Sequence, residues 1–516
     1  MKKTCFFSLA MLSAIMFTSC EQEYSTQEET TVNLKTTTGD FDRLFVTPKE
    51  VGMRLFSEAL VTSMNQSVQL RQIIKQKALE EFNNDNDVLF VMIKDLPTEY
   101  GKVQNLIASN LPGGMSKLNE IISGNPTLTI LVPTLPEKSF SPSTWDVNGE
   151  VPSVGIRLTR TNNIPFIWNS GDEQVIPGNY TPDFPALVVK ENERLITDND
   201  PLYQKLSTRV VYSDGLVGIK FLDDLFDAQR SPQSYLYMRT RHVDEKISDA
   251  YSLYQEIDGW HRDYLYYNIT SGTPNGPMSN DFKEFLGKFK MVGDGYAAYD
   301  LIADQTDDPS VNPKPEGGNW AHWTEGQFEF QVSFLINSTG GSGEETNRYF
   351  PVRPDDLFQL TYSKHEKGKW FWKKTWYTLD DIDNKTLLLN IPVVVWDLED
   401  KSIEVEVTFY EVDIPSTTTY TTSHVSEFAT NFELNTSLGE TQKVGMKFGA
   451  SAKETNTRTI SRVMTQGNDP LGSDIVEFGD DVIVGRRNAP FFGSYWKIRS
   501  YSTGSVEFTF EPKRVQ

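Results

Sequence analysis

The sequence predicts an α+β protein with an N-terminal helical segment, a mixed middle region and a C-terminal antiparallel β-sandwich. Three observations carry this. Between residues 41 and 122 apolar residues recur at the three- and four-residue spacing of helices. Across 123–310 short apolar runs bounded by proline alternate with a helical stretch. From 320 to 516 a period of two dominates, in half-buried strands separated by turns, the pattern of two packed antiparallel sheets.

Taken in order, residues 1–19 have the layout of a secretory signal peptide. Lys2 and Lys3 precede a short apolar stretch from Cys5 to Phe17, too short for a lasting membrane anchor, and Phe17-Thr18-Ser19 sets small residues before Cys20. A cysteine at that point looks like the lipobox of bacterial lipoproteins, which makes Cys20 the expected lipidation site and its acyl chains the contact with the membrane. Residues 20–40 are polar and without periodicity, which reads as a flexible tether. The acidic residues Glu21, Glu23, Glu28 and Glu29 resemble the surface-export signal of Bacteroidota lipoproteins, so the outer membrane facing the cell exterior is the expected location.

Thr47-Pro48-Lys49-Glu50 is a capping box with proline at the first helical position, and Val46 and Val51 stand where a hydrophobic staple would close. Val51, Leu55 and Ala59 continue at four-residue spacing. A second helix from Ser67 carries Leu70, Ile73, Ile74, Ala78 and Phe82 on one face, and Asn83-Asn84-Asp85-Asn86-Asp87 stops it. That acidic loop lacks the glycine and distal glutamate of a calcium-binding EF-hand.

In 123–310 strands are expected at 128–133, 186–189 and 215–221, and a helix at 244–254. Trp260 to Tyr267 follows, an aromatic corner with His261 and Asp263 as candidate polar residues. The Asp-, Pro- and Gly-rich stretch 304–319 reads as a linker. Further on, Phe328, Phe330, Val332 and Phe334 alternate with polar residues, as do Ile403, Val405, Val407 and Phe409, with a phase shift at Tyr410 that predicts a bulge. Strands are also expected around 444–448, 475–478 and 506–510.

Several blocks together resemble a group of large Bacteroidota surface lipoproteins. They are Asp87-Val88-Leu89, Val188-Val189-Lys190-Glu191-Asn192-Glu193-Arg194, Trp260-His261-Arg262-Asp263-Tyr264-Leu265-Tyr266-Tyr267, and Leu471-Gly472 with Tyr501-Ser502-Thr503-Gly504. The resemblance spans most of the chain after the leader, and it implies no biochemical activity and no catalytic residue.

Composition narrows the chemistry. The net charge of −22 becomes −24 once Lys2 and Lys3 leave with the leader. Such a polyanion is repelled by phosphate backbones, so nucleic acid is not an expected partner. Of the two cysteines, Cys5 lies in the leader and Cys20 is the lipid acceptor, which leaves no thiol for a disulfide, a nucleophile or a zinc site. His242, His261, His322, His365 and His424 are far apart, and no zinc-protease, nucleophile-elbow or P-loop signature occurs. No cofactor is expected other than calcium as a candidate ion.

Three constellations remain. Lys364 to Trp376 holds five lysines and one glutamate in an acidic chain. Drawn out as a strand, it places Trp370, Trp372, Lys374 and Trp376 on one face. Indoles there can stack on sugar rings while Lys373 and Lys374 attract anionic groups. The competing reading is a hairpin whose tryptophans fill the core. Second, Asp380, Asp381 and Asp383, with Asp397, Asp400 and Asp413, cluster at the ends of predicted strands, where carboxylates can gather hard oxygen ligands for calcium. Third, Asn431 to Met464 is Ser/Thr-rich with weak alternation. Its alternating runs are shorter than membrane strands require, so it reads as a surface hairpin.

The expected function is therefore a membrane-anchored surface lipoprotein, a non-enzymatic binding protein for a glycan, a protein or another envelope component. The alternatives are a carboxylate-dependent glycoside hydrolase and a pore-forming protein.

Overall fold

The structure is a computed structural model that describes residues 41–515, except 136–138, 159–160, 162, 177–181, 183, 231–242, 256–258, 271, 274–275, 303–326, 339–342, 368–373, 399, 413–416, 430–452, 466–468 and 490–492. The leader, the tether and Cys20, the linker at 304–319, Trp370, Trp372, Lys373 and Asp413 lie outside the described residues. No described helix is long and apolar enough to cross a membrane. The fold is mixed α+β, with several antiparallel sheets.

Helix α1 (Pro48–Gln66) begins as its sequence dictates: Thr47 Oγ1 accepts from Glu50 N–H, and the Glu50 carboxylate accepts from Thr47 N–H, closing the capping box. The staple does not close. Val46 is 71 % exposed and Val51 40 %, because the face turned inward is Met53, Phe56, Leu60 and Met64. Helix α2 (Val68–Ala78) is capped by Ser67 and buries Leu70, Ile74 and Ala78. It stops before Phe82. Three further helices follow, α3 (Phe90–Ile93), α4 (Val103–Ser109) and α5 (Gly114–Gly124).

These helices pack on a six-stranded sheet of β1 (Asp87–Leu89), β2 (Thr129–Leu131), β3 (Ser153–Ile156), β4 (Ile164–Ile167), β5 (Glu173–Ile176) and β6 (Ala186–Lys190). The strand order is β1-β2-β6-β3-β4-β5, with β3 and β6 parallel and every other pair antiparallel. One core runs from Phe41 and Phe56 through Ile121 to Val188 and Val189, so helices and strands are joined across residue 122. A small sheet of β7 (Leu195–Thr197), β8 (Val210–Ser213) and β9 (Gly218–Phe221) follows, in the order β8-β9-β7.

The C-terminal half holds helices α6 (Glu245–Leu253), α7 (His261–Tyr267), α8 (Gly295–Ile302) and α9 (Pro354–Leu357). Its strands are β10 (Phe282–Met291), β11 (Phe328–Ser338), β12 (Gly343–Val352), β13 (Phe358–Lys367), β14 (Lys374–Asn384), β15 (Leu387–Pro392), β16 (Lys401–Glu411), β17 (Thr417–Ala429), β18 (Lys453–Thr465), β19 (Asp469–Glu477), β20 (Ile483–Ala489), β21 (Gly493–Ile498), β22 (Tyr501–Ser502) and β23 (Val506–Arg514). They form two four-stranded sheets, β15-β10-β23-β22 and β12-β11-β16-β19. An aromatic layer joins them. Phe289 of β10 lies 4.8 Å from Phe330 of β11 and 5.5 Å from Phe409 of β16, and Phe409 lies 5.2 Å from Phe508 of β23. The bulge expected at Tyr410 is present, since the β16–β19 register shifts between Thr408 and Tyr410.

The alternation in β11 does not make a half-exposed strand. All eleven of its residues are buried, so Glu329, Gln331 and Ser333 are covered along with the phenylalanines. Part of that cover comes from the N-terminal half.

In the C-terminal half three hairpins form two-stranded sheets of their own: β13/β14, β17/β18 and β20/β21. The β17/β18 hairpin changes the reading of 431–464. Lys453–Thr465 pairs with Thr417–Ala429, upstream of the stretch that the sequence singled out, over thirteen residues on each strand. The expected strand at 444–448 lies outside the described residues.

Candidate functional site

Two of the sequence blocks singled out above, Asp87-Val88-Leu89 and Val188 to Arg194, meet in the interior. Arg194, fully buried, follows β6, and the turn at Asn83–Asp87 lies against it. Its Nε donates to Glu329 Oε1 at 2.9 Å, one terminal nitrogen to the Asn83 carbonyl at 2.9 Å and the other to Asp85 Oδ2 at 3.1 Å. Glu193 is 3.6 Å away, and Lys190 contacts Glu193 at 3.1 Å and Asp87 at 3.8 Å. Four carboxylates thus enclose two cations. Burial works to lower the Arg194 pKa, but the charges of Glu329, Asp85, Glu193 and Asp87 outweigh it and hold it above the ordinary value. The cluster bridges the two halves, for Glu329 belongs to β11. Beside it Gln327 Nε2 donates to the Asn84 carbonyl at 3.0 Å, and Arg348 of β12 grips Asp223 at 2.9 and 3.1 Å.

Asp87 is fully buried within this cluster. Its Oδ2 accepts from the Asn83 and Asn192 amides at 2.8 and 2.9 Å. Burial pushes its carboxyl up from 3.8 to about 6, Lys190 opposing and Asp85 and Glu193 reinforcing the rise.

A second block builds α7. Arg262 and Glu284 of β10 are both fully buried and pair at 2.8 Å, and Tyr266 O–H donates to the same carboxylate at 3.1 Å. Arg262 also donates to the Asp480 carbonyl at 2.8 Å and lies over the Trp396 ring. His261 is 3 % exposed, and its Nδ1 accepts from Val482 N–H at 3.0 Å, which sets the proton of the neutral ring on Nε2. Burial lowers its pKa from 6.5 to about 4, against the pull of Asp481 and with the push of Arg262 and Arg499. The aromatic corner is therefore structural. In the fourth block Thr503 Oγ1 donates to the Leu471 carbonyl at 2.6 Å. Gly472 has φ +90° and stands so close to Thr503 that a Cβ would lie 2.6 Å from its carbonyl oxygen.

The two shifted groups make opposite demands on pH. Between about 4 and 6 the folded chain holds a proton on Asp87 that the unfolded chain has lost, so stability falls as pH rises through that window. Between about 4 and 6.5 the unfolded chain protonates His261 and the folded chain does not, so stability rises with pH. Asp87→Asn removes only the first effect. Urea unfolding from pH 4 to 6.5 should then show a steeper gain in stability with pH for the variant than for the parent chain; parallel curves would count against the displaced Asp87.

A cavity of about 180 Å³ opens where β10 bulges between Leu286 and Lys288. Ile247, Leu389, Val482 and Ile498 wall it, and Asp244, Glu511, Lys513 and Arg514 supply charge. Gly287 makes room for the Glu511 carboxylate, since a Cβ there would stand 1.7 Å from Oε1. The two carboxylates are held by cations: Asp244 pairs with Arg514 at 2.9 Å and Glu511 lies 3.7 Å from Lys513. No tryptophan lines this cavity.

Among the candidate ligand-binding residues, Lys374 and Trp376 fall on β14. The register sets Trp376 opposite His365 and Lys374 opposite Lys367, so these four positions share one face of the β13/β14 hairpin. Asp380, Asp381 and Asp383 stand within strand β14, not in a loop at a strand end. Asp380 occupies the bulge between Leu379 and Asp381 and accepts from Ser363 O–H at 2.6 Å; Asp381 and Asp383 are exposed on one face. Among the described residues no group of three or more His, Cys, Asp or Glu side chains is placed to hold a metal ion.

The sequence reading missed β20/β21, where Arg486 faces Trp496 and Arg487 faces Tyr495. The signal was two basic residues and two aromatics a few positions either side of Pro490, and it acquires meaning only once the strands pair. No family model, no curated protein and no solved structure matches the chain.

Proposed function

We propose that the chain is a surface lipoprotein of the Bacteroidota type, anchored through Cys20, that binds a glycan of the envelope or its surroundings without turning it over. In this reading residues 1–19 are the leader, 20–40 the tether and 41–122 a helical segment. The two facing four-stranded sheets form a β-sandwich that carries the hairpins outward. The carrying observation is the β13/β14 register, which gathers Trp376, Lys374, His365 and Lys367 on one face of a hairpin in an otherwise acidic chain. An indole offers a stacking surface for a sugar ring, and flanking cations attract its anionic substituents.

A glycan array probed with the full chain tests this, with and without calcium. A hit should be lost in Trp370→Ala/Trp372→Ala and weakened at least about tenfold by Trp376→Ala, the loss of roughly one stacking contact. A well-folded chain that binds no glycan would refute the ligand class. Calcium dependence would assign a role to Asp380, Asp381 and Asp383.

One observation favours pore formation as a second reading. β17 and β18 pair over thirteen residues each, longer than the roughly nine to eleven that span a bilayer. Against it, the face holding Arg458 and Arg462 also holds His424, and the other face is mainly Thr and Ser, so neither is continuously apolar. Dye release from liposomes separates the two readings.

A further inference from the structure

We infer that the outer face of the β20/β21 hairpin is a binding subsite for an anionic sugar, formed by Arg487, Tyr495 and Lys497. The inference rests on the glycan-binding reading above and adds to it a second site and a ligand charge.

The register decides which residues meet. Arg486 is paired with Trp496, Arg487 with Tyr495, and Gly485 with Lys497. Directly opposed residues share a face, and residues two apart along a strand share it too. One face therefore holds Arg486 and Trp496, the other Arg487, Tyr495 and Lys497. On the first, Trp496 packs on the body at 5.2 Å from Tyr251 of α6, and the exposed Arg486 is taken up by it, its guanidinium 4.3 Å above the indole ring. The second is turned to solvent. Arg487 and Lys497 are exposed and Tyr495 is 49 % exposed.

Neither Arg487 nor Lys497 has an ion-pair partner among the described residues, although the chain holds 71 Asp and Glu against 49 Lys and Arg. The cations near the base of the hairpin behave differently. Arg499 donates to the Asp481 carbonyl at 3.0 Å and lies 3.6 Å from Asp480. Two cations left unmatched beside an exposed phenol present the complement of a ring with acidic substituents.

The spacing agrees. Cβ atoms of opposed residues stand about 5 Å apart and those of next-but-one residues about 7 Å. Arg487 and Lys497 thus flank the Tyr495 ring within the width of a single sugar. Tyr495 supplies the stacking face, and Arg487 offers a planar fork that matches sulfate or carboxylate oxygens two at a time. Overall negative charge does not cancel this attraction. At physiological salt, fields fade over about 8 Å, so the local cations govern the contact.

The backbone register also pairs a basic with an aromatic position in two other hairpins of the C-terminal half, 365 with 376 and 420 with 462.

The test is calorimetric titration of the full chain in detergent with heparin as the sulfated probe and dextran as the neutral one. Heparin should bind, and raised salt should weaken it. Arg487→Ala/Lys497→Ala should lower its affinity at least about tenfold, corresponding to one charge-assisted contact or more. Tyr495→Ala should also weaken it and Tyr495→Phe should not. These residues are exposed, so unchanged unfolding midpoints will show that the variants remain folded. No heparin binding by the parent chain, or equal binding by the double variant, would overturn the inference. So would a face that captures phosphatidylglycerol vesicles but not heparin. If Trp376→Ala abolishes glycan binding and Arg487→Ala/Lys497→Ala does not alter it, the β13/β14 reading stands and the subsite falls. The reverse result keeps the subsite and removes the β13/β14 face.

Discussion

Arg194→Met should be among the most damaging single substitutions in this chain, costing about 3–5 kcal/mol of stability, the range for removing one partner of a buried ion pair. The methionine fills most of the volume, so the loss is electrostatic. Asp85, Asp87, Glu193 and Glu329 would lose the guanidinium charge they share, and the Asn83 carbonyl would lose its donor. Arg194→Lys keeps the charge but cannot reach Glu329, Asp85 and Asn83 at once, so it should recover only part of the loss. Glu329→Gln should cost less than Arg194→Met, because it removes one of four carboxylates and leaves an amide able to accept from the guanidinium. Urea unfolding of the three variants checks this order. Equal midpoints for Arg194→Met and the parent chain would show that the cluster contributes nothing. Since Glu329 lies on β11 and the other carboxylates lie in the N-terminal half, separate transitions for the two halves are the expected signature of the variant.

The Arg262–Glu284 pair gives the second large effect, with a different signature. Arg262→Met alone strands a fully buried carboxylate that, among the described residues, keeps only Tyr266 O–H as a side-chain donor, and Glu284→Leu alone strands a buried guanidinium. Each should cost about 3–5 kcal/mol. The double variant should be far less destabilised than the sum, because two apolar side chains of similar volume no longer carry an unpaired charge. Some cost will persist, since Arg262 also donates to the Asp480 and Phe510 carbonyls. A double-mutant cycle by urea unfolding measures the coupling, and strict additivity would mean that the two charges do not act as a pair.

Much of the local structure was legible because it depends on neighbours along the chain. The Thr47 capping box, the Ser67 cap and the inward stripe Leu70, Ile74, Ala78 follow from helical spacing and short-range hydrogen bonds. The period-2 strands at 328–334, 403–409 and 506–510 follow from pleating. The failures have one cause. Val46 and Val51 had the right spacing for a staple, but which side of α1 faces the core is decided by the sheet it lands on. Asp380, Asp381 and Asp383 looked like loop residues because acidic runs are usual in loops; in the fold they ride on β14, paired with β13. Glu329 alternated with phenylalanines and so looked solvent-facing, yet Arg194, 135 positions earlier, neutralises it in the interior.

Composition, charge, the absence of any cysteine after Cys20 and the α+β character were thus determined by the sequence, since each is a sum or a short-range property. The tertiary structure decided which polar residues are buried, which opposite charges meet, and which basic and aromatic residues stand across from one another on a hairpin. Those outcomes depend on contacts between residues far apart in the chain. Burial raises the cost of an unpaired charge by several kcal/mol, so partnership, and not residue type, determines what each of these side chains does.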